Sequence, residues 1–147
     1  MGLNGINQIW YKTKLLIKAF KECQVSLRDV YLKARRIIHC PSHTPQEFQV
    51  NLGKYPDEYF SIKKNIFSSL FQSMYSLLGM NQERRMLYGR LNYLFRIWVT
   101  SADNLLDGEE KLTLPIHLPT NSRIMRQVIS IMTADRIMQD ILNDAAK

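Results

Sequence analysis

Two cysteines among 147 residues, Cys23 and Cys40, are too few for a disulfide framework. The N-terminal stretch "MGLNGINQIWYKTKLLIKAF" sets lysines inside its apolar part and has no small-residue cleavage site, so it does not read as a secretory leader. Together these features predict a reducing, cytoplasmic setting. Ile6 stands where an N-acylation signal requires Ser or Thr. Long apolar runs are missing as well, since none approaches the ~20 residues that span a bilayer. Metal-binding clusters are equally scarce. Cys40 and His43 have a C-x-x-H spacing, but only His39 and the distant His117 remain to complete a zinc site. The "HCPSH" stretch therefore reads as a helix end followed by a turn at Pro41. No segment alternates apolar and polar residues long enough for a strand, and there are no repeats, low-complexity tracts or interdomain linkers.

Acidic residues are sparse at one end of the chain. Residues 1–40 hold eight Lys/Arg against Glu22 and Asp29, whereas the rest of the chain is nearly balanced, for a net charge of +7. Such an arm suits nucleic acid, an anionic membrane surface or a phosphorylated substrate. Its lysines are interleaved with an apolar helical pattern, which favours a solvated helix face over a binding arm. No helix-turn-helix spacing or zinc finger supports the nucleic-acid reading.

Helical periodicity runs through the chain. Ile9, Leu16, Phe20, Cys23, Leu27, Val30, Tyr31, Ala34 and Ile38 recur at spacings of three, four and seven, predicting one long helix, or two joined near Gln24. Thr44, Pro45 and Glu47 form a capping pattern for a short helix closed by Gly53. A third helix is expected over 57–78, with Phe60, Ile66, Phe67, Leu70, Met74, Leu77 and Leu78 as its buried stripe. A fourth is expected over 82–107, with Leu94, Phe95 and Trp98 buried. After a loop carrying Pro115 and Pro119, Asn121 or Ser122 caps a last helix. The fold class is all-α, an antiparallel helical bundle without a sheet, in a single domain over 1–147.

The fourth helix poses a chemical question. Asn92, Arg96, Thr100, Asp103 and Asp107 share one narrow side of an otherwise apolar cylinder. Carboxylates four residues apart are neighbours on a helix and repel without a cation. With Glu109 and Glu110 they also oppose the helix macrodipole. Mg²⁺ is a suitable partner, because it takes one or two carboxylates, keeps several waters and completes its shell with phosphate oxygens. A calcium loop is excluded, because Leu105 and Leu114 fall where oxygen ligands are required. The competing reading is a surface helix end stopped by Gly108.

"ADNLLDGEEK" at the end of an apolar helix resembles the first aspartate-rich motif of the class I isoprenoid synthases, a superfamily spanning trans-prenyltransferases, squalene and phytoene synthases, and terpene synthases. Asp103 and Asp107 match the outer aspartates of that motif, and Asn104 stands where the fuller form has a second aspartate. The resemblance implies a helical bundle around an apolar pocket, with Mg²⁺ held by Asp103 and Asp107. It implies that these two act catalytically on an allylic prenyl diphosphate, with Arg96 and Asn104 assisting its binding. The arginine pair after the motif and the upstream basic diphosphate loop are absent. The second acidic motif is absent too; Asp135 and Asp140 have the wrong spacing. The chain thus resembles the N-terminal half of such a synthase, expected to self-associate or to meet a C-terminal half. The alternative expectation is a non-catalytic helical interaction module whose basic N-terminal helix binds a partner protein or an anionic membrane surface.

Overall fold

The N-terminal apolar period folds as one uninterrupted helix, α1 (Leu3–Ile37), in a computed structural model that describes residues 3–39, 43–46 and 49–146. No proline interrupts it, and there is no joint near Gln24. Arg35 and Arg36 occupy its last turn, where cations offset the partial negative charge of the helix end.

The short helix expected after Thr44 is not found among the described residues, and Glu47 lies outside them. Instead Asn51–Leu52 (β1) pair antiparallel with Ile116–His117 (β2). The Gly53 N–H donates to the Pro115 carbonyl at 2.7 Å. A Cβ on Gly53 would collide with the His117 imidazole, so this glycine permits a close approach and does not cap a helix. This two-residue ladder is the one departure from an all-α fold among the described residues.

The third expected helix begins with a 3₁₀ turn, Asp57–Phe60, and continues as α2 (Ile62–Leu77). The break has a local cause. Asn65 leaves helical geometry at φ −121°, and its side-chain amide donates to the Tyr59 and Ser61 carbonyls at 2.7 and 2.9 Å. Gly79, at φ +72°, ends the element in a conformation that disfavours a side chain. Asn81 then accepts from the Arg84 N–H and opens α3 (Gln82–Asp107), which Gly108 terminates at φ +71°. Ser122 caps α4 (Arg123–Ala145) by accepting from the Met125 N–H.

The chain divides into two compact units, each built from two segments. Unit 1 comprises residues 1–28 and 56–90, and unit 2 comprises 29–55 and 91–147. Helices α1 and α3 contribute a stretch to each. Unit 2 has a mixed core. Val30, Ala34, Leu94, Ile97, Ala134 and Ile137 are buried in it. A hydrogen-bonded string threads the same unit: the Tyr93 hydroxyl donates to Tyr55, which donates to the Thr113 carbonyl. Thr113 in turn donates to Ser130.

Candidate interaction surface and the carboxylate pair

In unit 1, where Ala19, Cys23 and Leu27 of α1 are buried, helix α2 reverses the usual partition of side chains. The buried residues of α2 are Asn65, Ser69, Gln72 and Ser73, all polar. Its apolar residues point outward: Phe67 is 76% exposed and Leu77 64%, with Ile66, Leu70, Phe71 and Met74 also exposed. The stripe expected to be core is thus the outer face of the helix. The same correction applies to α3, where Leu94 is buried but Phe95 and Trp98 are 55% and 41% exposed.

The cause of the reversal lies in what the inner face must satisfy. Arg85 and Glu22 form a buried ion pair, with the guanidinium donating to both carboxylate oxygens at 2.7 and 3.0 Å. Gln72 Nε2 donates to the same carboxylate at 2.9 Å and to the Arg85 carbonyl at 3.0 Å. Arg85 also donates to the Met80 carbonyl. Desolvation pushes the Glu22 carboxyl up. The hydrogen bonds from Arg85 and Gln72, with the charges of Arg85 and Lys18, outweigh it and hold the carboxyl below its ordinary value. The Glu22 hydrogen bond raises Arg85 above its ordinary value despite burial. A buried charge pair is tolerable only when its remaining polar atoms are satisfied. α2 therefore turns its amide and hydroxyls inward and its apolar side out. Ser69 and Ser73 donate to the carbonyls of Asn65 and Ser69, one turn back in the same helix. Gly89 completes the packing, since a Cβ there would stand 2.7 Å from Ser26 Oγ and 3.2 Å from Gln72 Oε1.

Charge is concentrated in the same unit. Unit 1 holds ten Lys/Arg against four Asp/Glu, whereas unit 2 holds ten against nine. Lys12, Lys14, Lys18 and Lys21 on α1 and Lys63 and Lys64 on α2 are all exposed. Ile9, Trp10 and Tyr11 are exposed among them, and the Lys14 ammonium lies 5.0 Å from the Trp10 ring centroid.

The sequence-predicted site residues all belong to the C-terminal part of α3, in unit 2. Asp103 and Asp107 are both exposed at its end. Asn104 is buried and faces the chain instead: its amide donates to the Lys111 carbonyl at 2.8 Å, and its oxygen accepts from the Lys111 N–H at 3.1 Å. It thereby fixes the turn after the helix. Arg96 is half-buried, with its guanidinium 4.8 Å from the Tyr93 ring centroid. Lys111 lies in the field of the aspartates. Its ion pair with Glu109, and more weakly the charges of Asp103 and Asp107, raise its ammonium above the ordinary range. Among the described residues no group of three or more His, Cys, Asp or Glu could hold a metal ion. At this helix end Asp103 and Asp107 stand one turn apart on the helix as two exposed carboxylates.

Unit 2 also carries an open, mainly apolar cleft of about 520 Å³, lined by Ile37, Val50 and Met132 among others, with His39, Thr133 and Arg136 as polar groups. Neither aspartate is among its described lining residues. No helix in the described residues is long and apolar enough to cross a membrane. Comparison with known proteins returned no matching family model, no matching curated protein and no matching solved structure.

Proposed function

We propose that this chain is a helical interaction module and that the outer face of α2 is the surface its partner covers. The observation that carries this reading is the reversed partition of α2. Each large apolar side chain left in water forgoes about 1.5–3 kcal/mol that burial would supply. A run of such residues on one helix face, opposite an inner face of Asn, Ser and Gln, marks an interaction site. The test replaces Phe67, Leu70 and Phe71 by Ser in one variant. Helicity and the unfolding midpoint should be unchanged or raised, because these side chains contribute to no core. Loss of cooperative unfolding would overturn the reading by showing that they do.

A second reading rests on a separate observation, the exposed pair Asp103 and Asp107 at the end of α3 with Lys111 in their field. In this reading the pair holds Mg²⁺ and, through it, a prenyl diphosphate, as the isoprenoid-synthase resemblance implies, and Arg96 assists. Mg²⁺ would supply Lewis-acid help to a departing diphosphate. Asn104 would act by fixing the helix end. Calorimetric titration with inorganic diphosphate tests this. Binding should require Mg²⁺ and vanish in Asp103→Asn/Asp107→Asn; equal binding by both proteins would end the reading.

A further inference from the structure

The reversed face of α2 sits in the unit that carries nearly all the net charge, and the two features together select the partner. Resting on the interaction-module reading, we infer that unit 1 binds the surface of an anionic phospholipid membrane, with the outer face of α2 and the N-terminal part of α1 seated at the headgroup boundary.

Charge argues first. Ten basic residues against four acidic ones leave this unit at +6, and Glu22, one of the four, is already paired with Arg85. Two copies meeting through this unit would bring like charges together, so a second copy is disfavoured as occupant. An anionic surface complements it.

The kind of charge decides between a lipid and a protein surface. Six of this unit's eight exposed cations are lysines: four along α1 up to Lys21, and Lys63 and Lys64 at the start of α2; the other two are Arg28 and Arg84. Lysine is depleted at protein–protein interfaces, where its flexible, strongly hydrated ammonium is costly to order. At a membrane surface the same residue lays its stem along acyl chains and keeps its ammonium among headgroup phosphates. Trp10 and Tyr11, both exposed, are the residue types that settle at that boundary.

Geometry excludes a spanning arrangement for α2. Its 16 residues measure about 24 Å, shorter than the ~30 Å hydrocarbon core. Its inner side is moreover committed to the Glu22–Arg85–Gln72 network. A helix with one apolar side, one polar side and lysines at its entry lies in the plane of the interface.

The test uses the full chain with Trp98→Phe, so that Trp10 is the one tryptophan. Vesicles of phosphatidylcholine and phosphatidylglycerol in equal parts should bind the protein and shift Trp10 emission to the blue. Pure phosphatidylcholine should bind weakly, and added salt should release the protein from the mixed vesicles. Phe67→Ser/Phe71→Ser should lower partitioning by on the order of tenfold or more, and Lys12→Gln/Lys63→Gln by about fivefold for each lysine. Equal binding to neutral and anionic vesicles overturns the inference. So does lysine-dependent binding to a DNA duplex that survives the phenylalanine substitutions in a protein that ignores vesicles. If vesicles are ignored but sedimentation reveals self-association that Phe67→Ser/Phe71→Ser abolishes, the lipid surface is wrong and the interaction-module reading stands. If there is neither vesicle binding nor association, both fall.

Discussion

At the scale of single residues, unit 1 depends on a charged cluster that must be complete to be tolerated. Removing one member of a buried ion pair strands the other, at a cost of about 3–5 kcal/mol. Glu22→Ala should therefore lower the unfolding free energy by roughly that amount in chemical denaturation, because Arg85 and Gln72 lose their shared acceptor. Replacing both charges, as in Glu22→Leu/Arg85→Met, should cost much less. The pH dependence follows from the same pair. The folded-state pKa of Glu22 lies below its ordinary value of 4.5, so its contribution is complete above that pH and is lost as pH falls through the lower folded value. Acid unfolding should flatten in Glu22→Gln. Gly89→Ala should destabilise by about 1–3 kcal/mol, since its methyl would press on Ser26 and Gln72. Ser101 is the opposite case. Its hydroxyl is buried without a hydrogen-bond partner, so Ser101→Ala should be neutral or stabilising by about 1 kcal/mol in the same measurement.

At the scale of elements, the long helices are legible in the sequence, whereas the short one expected after Thr44 is not found among the described residues and helix orientation is not legible. Period, caps and stops placed α3 and α4 to within a residue or two. Ser122 caps α4 and Gly79 ends α2, as their residue types require. For α2 the sequence carries two helical stripes. One is apolar and runs through Ile66, Leu70 and Met74; the other is polar and runs through Asn65, Ser69, Gln72 and Ser73. Periodicity cannot say which stripe faces inward, and the general preference for apolar cores pointed the wrong way. The deciding information was the pairing of Glu22 with Arg85, sixty-three positions apart, which no local pattern reveals. The extended residues 51–53 were misread as a helix end because Gly53 fits a C-cap as readily as a close approach to His117. Asn104 stands inside the aspartate motif, where the resemblance implies a part in ligand binding. Its burial is a tertiary fact, and its two bonds to Lys111 hold the turn after α3. Asn104→Ala should cost about 1–3 kcal/mol and speed amide exchange at Lys111, leaving exchange within α4 unchanged.

At the scale of the whole molecule, positive charge is concentrated in the first forty residues of the sequence; the structure places residues 1–28 in a unit of net charge +6 with α2 and the start of α3, and Lys33, Arg35 and Arg36 in the other unit. The two carboxylates singled out by motif stand exposed in the other unit. Before any partner arrives, α2 meets water with its apolar side. Cysteine labelling of dilute protein measures this most directly, in a background of Cys40→Ser with buried Cys23 retained. Single variants Phe67→Cys, Phe71→Cys and Leu78→Cys should react with a water-soluble maleimide nearly as fast as an unfolded peptide. Ser69→Cys and Ser73→Cys should be protected by the full opening free energy of the unit. Fast labelling at 69 and 73 with protection at 67, 71 and 78 would contradict the account, because α2 would then face its apolar side inward after all.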